Sequence, residues 1–294
     1  MGNIIEKMYL SKKNKRATVI RLPGEKMLIV RTGEIRRIQH MENRLECKNS
    51  LKKTMRRLRN LLNANIDDVS KCRWVTLTYA ENMTDTKQLY EDFRKFNIRL
   101  KHYCKKHDYR NYEYIVAMEP QGRGAWHCHV VYIFENKAPF IANDELRRIW
   151  GHGFVTIKRL DDVDNVGAYL TAYLCDMEYE EAVKSGVPIK QYATELKEVE
   201  YEEDGIKKSK YYVKGGRLYM YPPKFNLYRC SRGVKKPIEE YMTENDALKK
   251  VSAATLTFQS THLYSDNGMQ CVIDKKYYNT KRKAKQVSNE NVVT

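Results

Sequence analysis

The sequence contains no Cys-x-x-Cys pair, no G-x-x-x-x-G-K-[ST] phosphate loop and no apolar run approaching membrane-spanning length. Each absence excludes something. Cys47, Cys72, Cys104, Cys128, Cys175, Cys230 and Cys271 are odd in number and scattered, so they read as reduced cytosolic thiols and not as a disulfide framework. Without a phosphate loop the chain does not encode an NTP-driven motor. With no signal-like start and no long apolar run, the chain is expected to be soluble and cytoplasmic, and Glu6 stands where N-myristoylation requires a hydroxyl residue. No internal repeat is visible. Acidic side chains are also in short supply: 37 Asp and Glu face 54 Lys and Arg, a formal charge of +17, and a soluble chain that basic most often answers to a polyanion. Nucleic acid is the leading partner class. At 294 residues the chain can bury the core of one large domain or two modest ones without staples.

The basicity is concentrated at the start. Residues 1–60 hold 17 basic and 5 acidic side chains. Here Ile35, Ile38, Met41 and Leu45, then Leu51, Met55, Leu58 and Leu62, recur at helical spacing with no proline and no glycine after Gly33. That spacing predicts one long helix or two shorter ones within a basic N-terminal helical segment, residues 1–70. The segment packs on a core, lies along a phosphate backbone, or does both.

From residue 73 the pattern changes. "RWVTLTYA" reads as a strand and "DTKQLYEDFRKFNIRLKHYCKKH" as a helix with Leu89, Phe93, Phe96 and Leu100 on one face. "YEYIVAMEP" and "WHCHVVYIF" read as strands joined across the glycines of "QGRGA". "NDELRRIWG" then reads as a capped short helix, "GFVTIKRL" as a strand and "DNVGAYLTAYLCDM" as a helix. The order β-α-β-β-α-β is the split βαβ, ferredoxin-like arrangement. The expected class is therefore α+β, an antiparallel central sheet with helices on one face and the other face available. This domain spans residues 71–240. It includes an acidic stretch at about 178–210, with Glu178, Glu180, Glu181, Glu198, Glu200, Glu202, Glu203 and Asp204, expected as an insertion or flexible excursion away from DNA. "GGRLYMYPPKFNLYRCSRGVKKP" returns to a strand-like pattern, and residues 241–294 form an extension whose basic tail is expected to be poorly ordered.

Two imidazoles, His127 and His129, stand at i and i+2 in a strand, so they point the same way while Cys128 points back toward the core. Their Cα atoms are roughly 7 Å apart on that face, close enough for both rings to reach one ion. A hairpin brings the preceding strand alongside, which makes Glu119 the nearest acidic third ligand and Gln121 a weaker one. Nitrogen with carboxylate suits Mn²⁺, Mg²⁺ or Zn²⁺, and the lack of thiolate on this face argues against a closed structural zinc site. Tyr169 and Tyr173 are four apart and share one face of the following helix. Taken alone, that pair reads as core, and the His-x-His strand reads equally well as a structural pair. Together on a basic chain they supply a Lewis acid, a nucleophile and a means of holding DNA.

These residues carry a resemblance. "WVTLTY" at 74–79, "MEPQGRGAWHCHVVYIF", "YLTAYL" and "SRGVKKP" at 231–237 resemble, in order and spacing, the motifs of rolling-circle replication initiators. These are the Rep proteins of the His-hydrophobe-His endonuclease superfamily, related to the filamentous-phage gene II protein and Gram-positive plasmid Rep proteins. The likeness covers roughly residues 70–240. It implies a metal-dependent endonuclease and strand transferase, with Tyr173 and Tyr169 as catalytic nucleophiles. His127, His129 and Glu119 would hold a divalent ion, Mn²⁺ or Mg²⁺, with no small-molecule cofactor. Implied partners are single-stranded or hairpin origin DNA and a host helicase and DNA polymerase, with no membrane. A mobilisation relaxase or single-tyrosine transposase uses the same constellation, and a non-catalytic nucleic-acid-binding module, displaying Trp74 and Tyr79 to bases, is the alternative from another class. The chain departs from its relatives in having Cys128 as the hydrophobe. It also has Ala172 and Asp176 where many carry a lysine after the tyrosine. Lys158, Arg159 or a basic residue of "LYRCSRGVKK" are the candidate replacements.

Overall fold

Gly24 and Gly33 adopt φ of +73° and +70°, and these left-handed turns fold the N-terminal region into short antiparallel strands. The computed structural model describes residues 5–6, 19–30, 32–38, 48–109, 111–160, 167, 171, 174–184, 196–203, 206–266 and 269–279. In chain order its elements begin with β1 (Ile5–Glu6), β2 (Val19–Leu22), β3 (Lys26–Ile29), β4 (Glu34–Arg37) and α1 (Lys48–Asn65). Next come β5 (Cys72–Tyr79), α2 (Thr86–Lys106), β6 (Tyr112–Pro120), β7 (Trp126–Phe134), α3 (Asn143–Trp150) and β8 (Gly153–Lys158). The remainder are β9 (Met177–Glu178), α4 (Tyr179–Lys184), β10 (Leu196–Glu203), β11 (Ile206–Val213), β12 (Tyr228–Cys230), α5 (Glu244–Lys250), β13 (Thr255–Asp266) and β14 (Met269–Asn279). They divide into two units: Met1–Met41 with Glu239–Thr294, and Glu42–Ile238. The first unit holds two three-stranded antiparallel sheets, β2-β3-β4 and β1-β14-β13.

The second unit is built on a five-stranded antiparallel sheet in the order β12-β6-β7-β5-β8. Without the short edge strand β12, this is the split βαβ order, because β7 inserts between β5 and β6, the two strands that α2 connects. Asp85 starts α2 by accepting the backbone N–H groups of Lys87 and Gln88. The apolar stripe Leu89, Phe93, Phe96, Leu100 and Cys104 then buries against Val75, Leu77, Val116, Met118, Cys128 and Val130. α3 adds Leu146, Ile149 and Trp150 to the same face and ends at Gly151, φ +74°. On the opposite face, Leu58, Leu61 and Leu62 of α1 pack on Cys72, Ile115, Ala117 and Val131. Burying each such leucine is worth roughly 1.5–3 kcal/mol, so α1 is a structural cover for one end of that face. The other end carries the histidines.

Three expectations change. Glu34–Arg37 is a strand and the helix begins at Lys48, so residues 34–37 of the N-terminal segment are not helical. Ile35 sat at helical spacing, but the turn at Gly33, whose N–H reaches the Ile29 carbonyl at 2.8 Å, reverses the chain and pairs β4 with β3. Met41 and Leu45 lie outside the described residues. Within the acidic stretch Glu178 ends β9 and Glu180 and Glu181 lie in α4, while β10 pairs β11 antiparallel from Leu196↔Val213 to Glu203↔Ile206 and β11 pairs β9; Asp204 lies outside the described residues. Cross-strand partners such as Glu198 and Tyr211, bonded at 3.1 Å, give that acidic run a ladder to occupy. The strand-like segment after it is mostly irregular, with a 3₁₀ turn at Leu218–Met220 and only Tyr228–Cys230 in the sheet. The tail beyond Asn279 lies outside the described residues.

Candidate metal centre

The β6–β7 hairpin brings the three predicted ligands together. Its turn closes through Gln121 N–H to the Ala125 carbonyl at 2.8 Å and Gly124 N–H to the Gln121 carbonyl at 2.8 Å, with Gly124 at φ +91°. The resulting register sets Glu119 opposite His127 and Ala117 opposite His129, while Thr78 and Thr76 of β5 flank the same histidines on the other side. Alternation along β7 sends both imidazoles to the α1 face and buries Cys128 completely on the α2 face.

Glu119 Oε2 lies 3.1 Å from His127 Nε2 and 3.4 Å from His129 Nε2, and the three ligand atoms fall within 4.8 Å of one another. Donors bound to one ion at roughly 2.1 Å stand about 3.0–3.4 Å apart, so these separations suit a single divalent cation. The donor set, two nitrogens and a carboxylate oxygen, fits as well. Thr76 Oγ1 is 3.2 Å from His129 Nδ1 and orients that ring, which leaves Nε2 facing Glu119.

Glu119 is 2 % exposed and is nonetheless held well below the usual carboxylate range. Burial pushes its pKa up, but hydrogen bonds with His127 and His129 and the charge of Arg217 together outweigh burial. For His127 burial dominates and lowers the pKa, with Glu119 partly offsetting it, so the ring favours the neutral form that a metal ligand requires.

Further residues, unmarked in the sequence, complete the site. Arg217 places Nη1 3.0 Å from Glu119 Oε2 and Nη2 2.7 Å from Glu181 Oε2. Glu119 Oε1 accepts the Cys175 N–H at 2.6 Å, and Glu181 Oε1 accepts the Gly122 N–H at 2.7 Å. Glu181, read from sequence as part of an insertion or flexible excursion, packs against the hairpin turn through the Gly122 N–H. No local pattern announces Arg217, a single cation after a glycine pair and far from Glu119 along the chain.

The remaining predicted residues are distributed as follows. Tyr169 and Tyr173 lie outside the described residues. Their neighbours Gly167 and Thr171 are helical, and Gly167 presses on α1, where a Cβ would come within 2.6 Å of the Arg59 carbonyl. Gln121 belongs to the turn, its side chain accepting from Arg123. Lys158 pairs across from Trp74 at the β8 edge, and Trp74 lies on the histidine face with its ring 6.0 Å from that of His129. Tyr79 is not displayed to solvent: it is 4 % exposed in the core, its hydroxyl donating to Asp92 at 3.0 Å. "SRGVKKP" laces the sheet edge, with Ser231 bonded to the Tyr114 backbone and Lys235 to Asn65. Phe154, on the histidine face of β8, is 59 % exposed with the Arg147 guanidinium 5.6 Å from its ring centre.

Residues 72–178 match the replication-associated protein ORF2/G2P family. That match is consistent with a rolling-circle replication initiator related to phage gene II proteins, and it supports a role in replication initiation. It starts at the first residue of β5 and ends at β9, so the matched segment contains all three candidate ligands and the chain from Gly167 to Cys175. No curated protein and no solved structure matches this chain. Among the described residues no helix is long and apolar enough to cross a membrane.

Proposed function

We propose that this protein nicks and rejoins one DNA strand at a replication origin, starting rolling-circle replication through a covalent 5′-phosphotyrosine. The observation that carries the reading is the convergence of Glu119, His127 and His129 within a segment matching a replication family. A divalent ion, Mn²⁺ or Mg²⁺, held by these three residues supplies Lewis acidity to a scissile phosphodiester. Glu119, buried and ionised, provides the anionic ligand, and Thr76 fixes the ring of His129. Tyr173 or Tyr169 attacks phosphorus. The phenolic oxygen–phosphorus bond forms as the bond to the 3′-oxygen breaks, the phenol gives up its proton, and the departing 3′-oxygen takes one. Because one phosphodiester replaces another, rejoining needs no nucleotide hydrolysis, which agrees with the missing phosphate loop.

DNA is held by charge and stacking. Lys52, Lys53 and Arg57 are exposed on α1 and suit phosphates, while Phe154 and Trp74 suit bases of an unpaired strand crossing the histidine face. Unwinding and synthesis then fall to a host helicase and polymerase. The test is incubation with single-stranded origin oligonucleotides and Mn²⁺. A covalent, protease-sensitive adduct is expected, and it should be absent from the double variant Tyr169→Phe/Tyr173→Phe. DNA binding without an adduct, at every strand sequence from the replicon, would leave a binding module and remove the nickase.

A further inference from the structure

Arg217 belongs to a set of bonds that metal ligation by itself does not require. Its guanidinium bridges two carboxylates, with Nη1 3.0 Å from Glu119 Oε2 and Nη2 2.7 Å from Glu181 Oε2. The side chain is 15 % exposed, and its buried Nε–H finds no acceptor among the described residues. The backbone is engaged as well: Arg217 N–H donates to the Cys175 carbonyl at 2.9 Å, while Cys175 N–H donates to Glu119 Oε1 at 2.6 Å. One residue, two positions beyond Tyr173, is thereby bracketed between a candidate metal ligand and Arg217. Gly215 N–H to Asp176 Oδ1 at 2.8 Å pins the next residue from the same loop.

We propose that Arg217 is the resident counter-cation of Glu119 and competes with the divalent ion for Oε2, so that it sets ion affinity and links ion entry to the chain at Cys175. This rests on the metal-centre reading. A carboxylate as buried as Glu119 is costly without an opposite charge beside it, and a guanidinium cannot shed its proton to make room. An entering dication therefore gains Glu119 but meets a fixed positive charge in contact with the same oxygen. Glu181 holds the other end of the fork and is the carboxylate toward which Arg217 is drawn as the ion takes Oε2. The three ligands consequently bind the ion more weakly than they would without the arginine. Because Glu119 Oε1 carries the Cys175 N–H, any adjustment of the carboxylate is felt at the start of the segment following the tyrosine motif.

The experiment is a Mn²⁺ titration of the full chain, read by isothermal calorimetry and by thermal shift, comparing wild type, His127→Ala/His129→Ala, Arg217→Met and Arg217→Lys. Arg217→Met should melt lower than wild type without ion, gain more on adding Mn²⁺, and reach half-saturation at a roughly tenfold lower Mn²⁺ concentration. Arg217→Lys, which keeps the charge, should stay near wild type. The double histidine variant should show no saturable binding. Equal Mn²⁺ midpoints for wild type, Met and Lys variants, with binding still lost in the histidine variant, overturn the proposal while leaving the metal centre standing. No saturable binding in any of the four proteins removes the metal centre and the proposal with it. If Arg217→Met fails to fold, Glu181→Gln decides: it leaves Glu119 as the sole carboxylate for Arg217, so Mn²⁺ should bind more weakly, and an unchanged midpoint overturns the competition.

Discussion

Glu119→Gln tests the centre at its most buried point. The amide carbonyl can still accept the Cys175 N–H, but the charge that faces His127, His129 and Arg217 is gone. Arg217 is then left with Glu181 alone in a largely buried position. Removing one partner of a buried ion pair costs roughly 3–5 kcal/mol, and that is the destabilisation expected by urea denaturation at pH 7 without added metal. The pH dependence gives a second reading with a definite sign. The folded-state pKa of Glu119 is depressed, so its contribution is fully present above the unfolded-state value near 4.3 and is lost as pH falls toward the folded value. In that acidic window the unfolded chain binds one proton that the folded chain does not. Wild-type stability therefore falls by about 1.4 kcal/mol per pH unit on account of this group alone. Glu119→Gln lacks that contribution, so the gap between the two proteins should narrow as pH is taken from 5 to 3. A variant as stable as wild type at pH 7, with a constant gap at lower pH, would refute the argument that an ionised Glu119 organises the site.

Other perturbations separate chemistry from binding. Alanine at His127 or His129 should abolish metal-dependent adduct formation while DNA affinity in a filter or anisotropy assay is retained, since phosphates are held by lysines and arginines elsewhere. Thr76→Val, which removes the hydroxyl 3.2 Å from His129 Nδ1, should weaken Mn²⁺ binding roughly 10–100-fold in calorimetry with little change in fold by circular dichroism. Replacing Lys52, Lys53 and Arg57 together by alanine should flatten the log-log salt dependence of single-strand binding by about 0.7 for each phosphate no longer neutralised, whereas an unchanged slope would make α1 a packing element only. If Tyr173 attacks first, Tyr173→Phe loses the adduct and Tyr169→Phe nicks but rejoins poorly, as gels of nicked and circular products would record.

The juxtaposition of the candidate ligands was legible in the linear chain because it is a local object. Glu119, His127 and His129 sit on one hairpin, the glycines of the turn fix its register, and strand alternation decides which side chains share a face. The strand and helix order of the domain was legible for a similar reason. Leu89, Phe93, Phe96 and Leu100 at helical spacing and the alternation along β7 are periodicities within single elements. The N-terminal segment shows where such reasoning fails. Ile35 and Ile38 satisfy helical spacing, yet a left-handed glycine at Gly33 and pairing with β3 make Glu34–Arg37 a strand, because a partner outside the window outweighs a spacing inside it. The acidic stretch shows a related limit: its charge composition describes solvation, and the cross-strand pairing of β10 with β11 is not written in it. Arg217, Glu181 and the Cys175 N–H could not be found from sequence at all. They reach Glu119 and the hairpin turn from segments dozens of residues away, carrying no periodicity and no motif. Those segments meet only because closing the fold stacks them over one end of the sheet, where a buried carboxylate requires both a donor and a counter-charge.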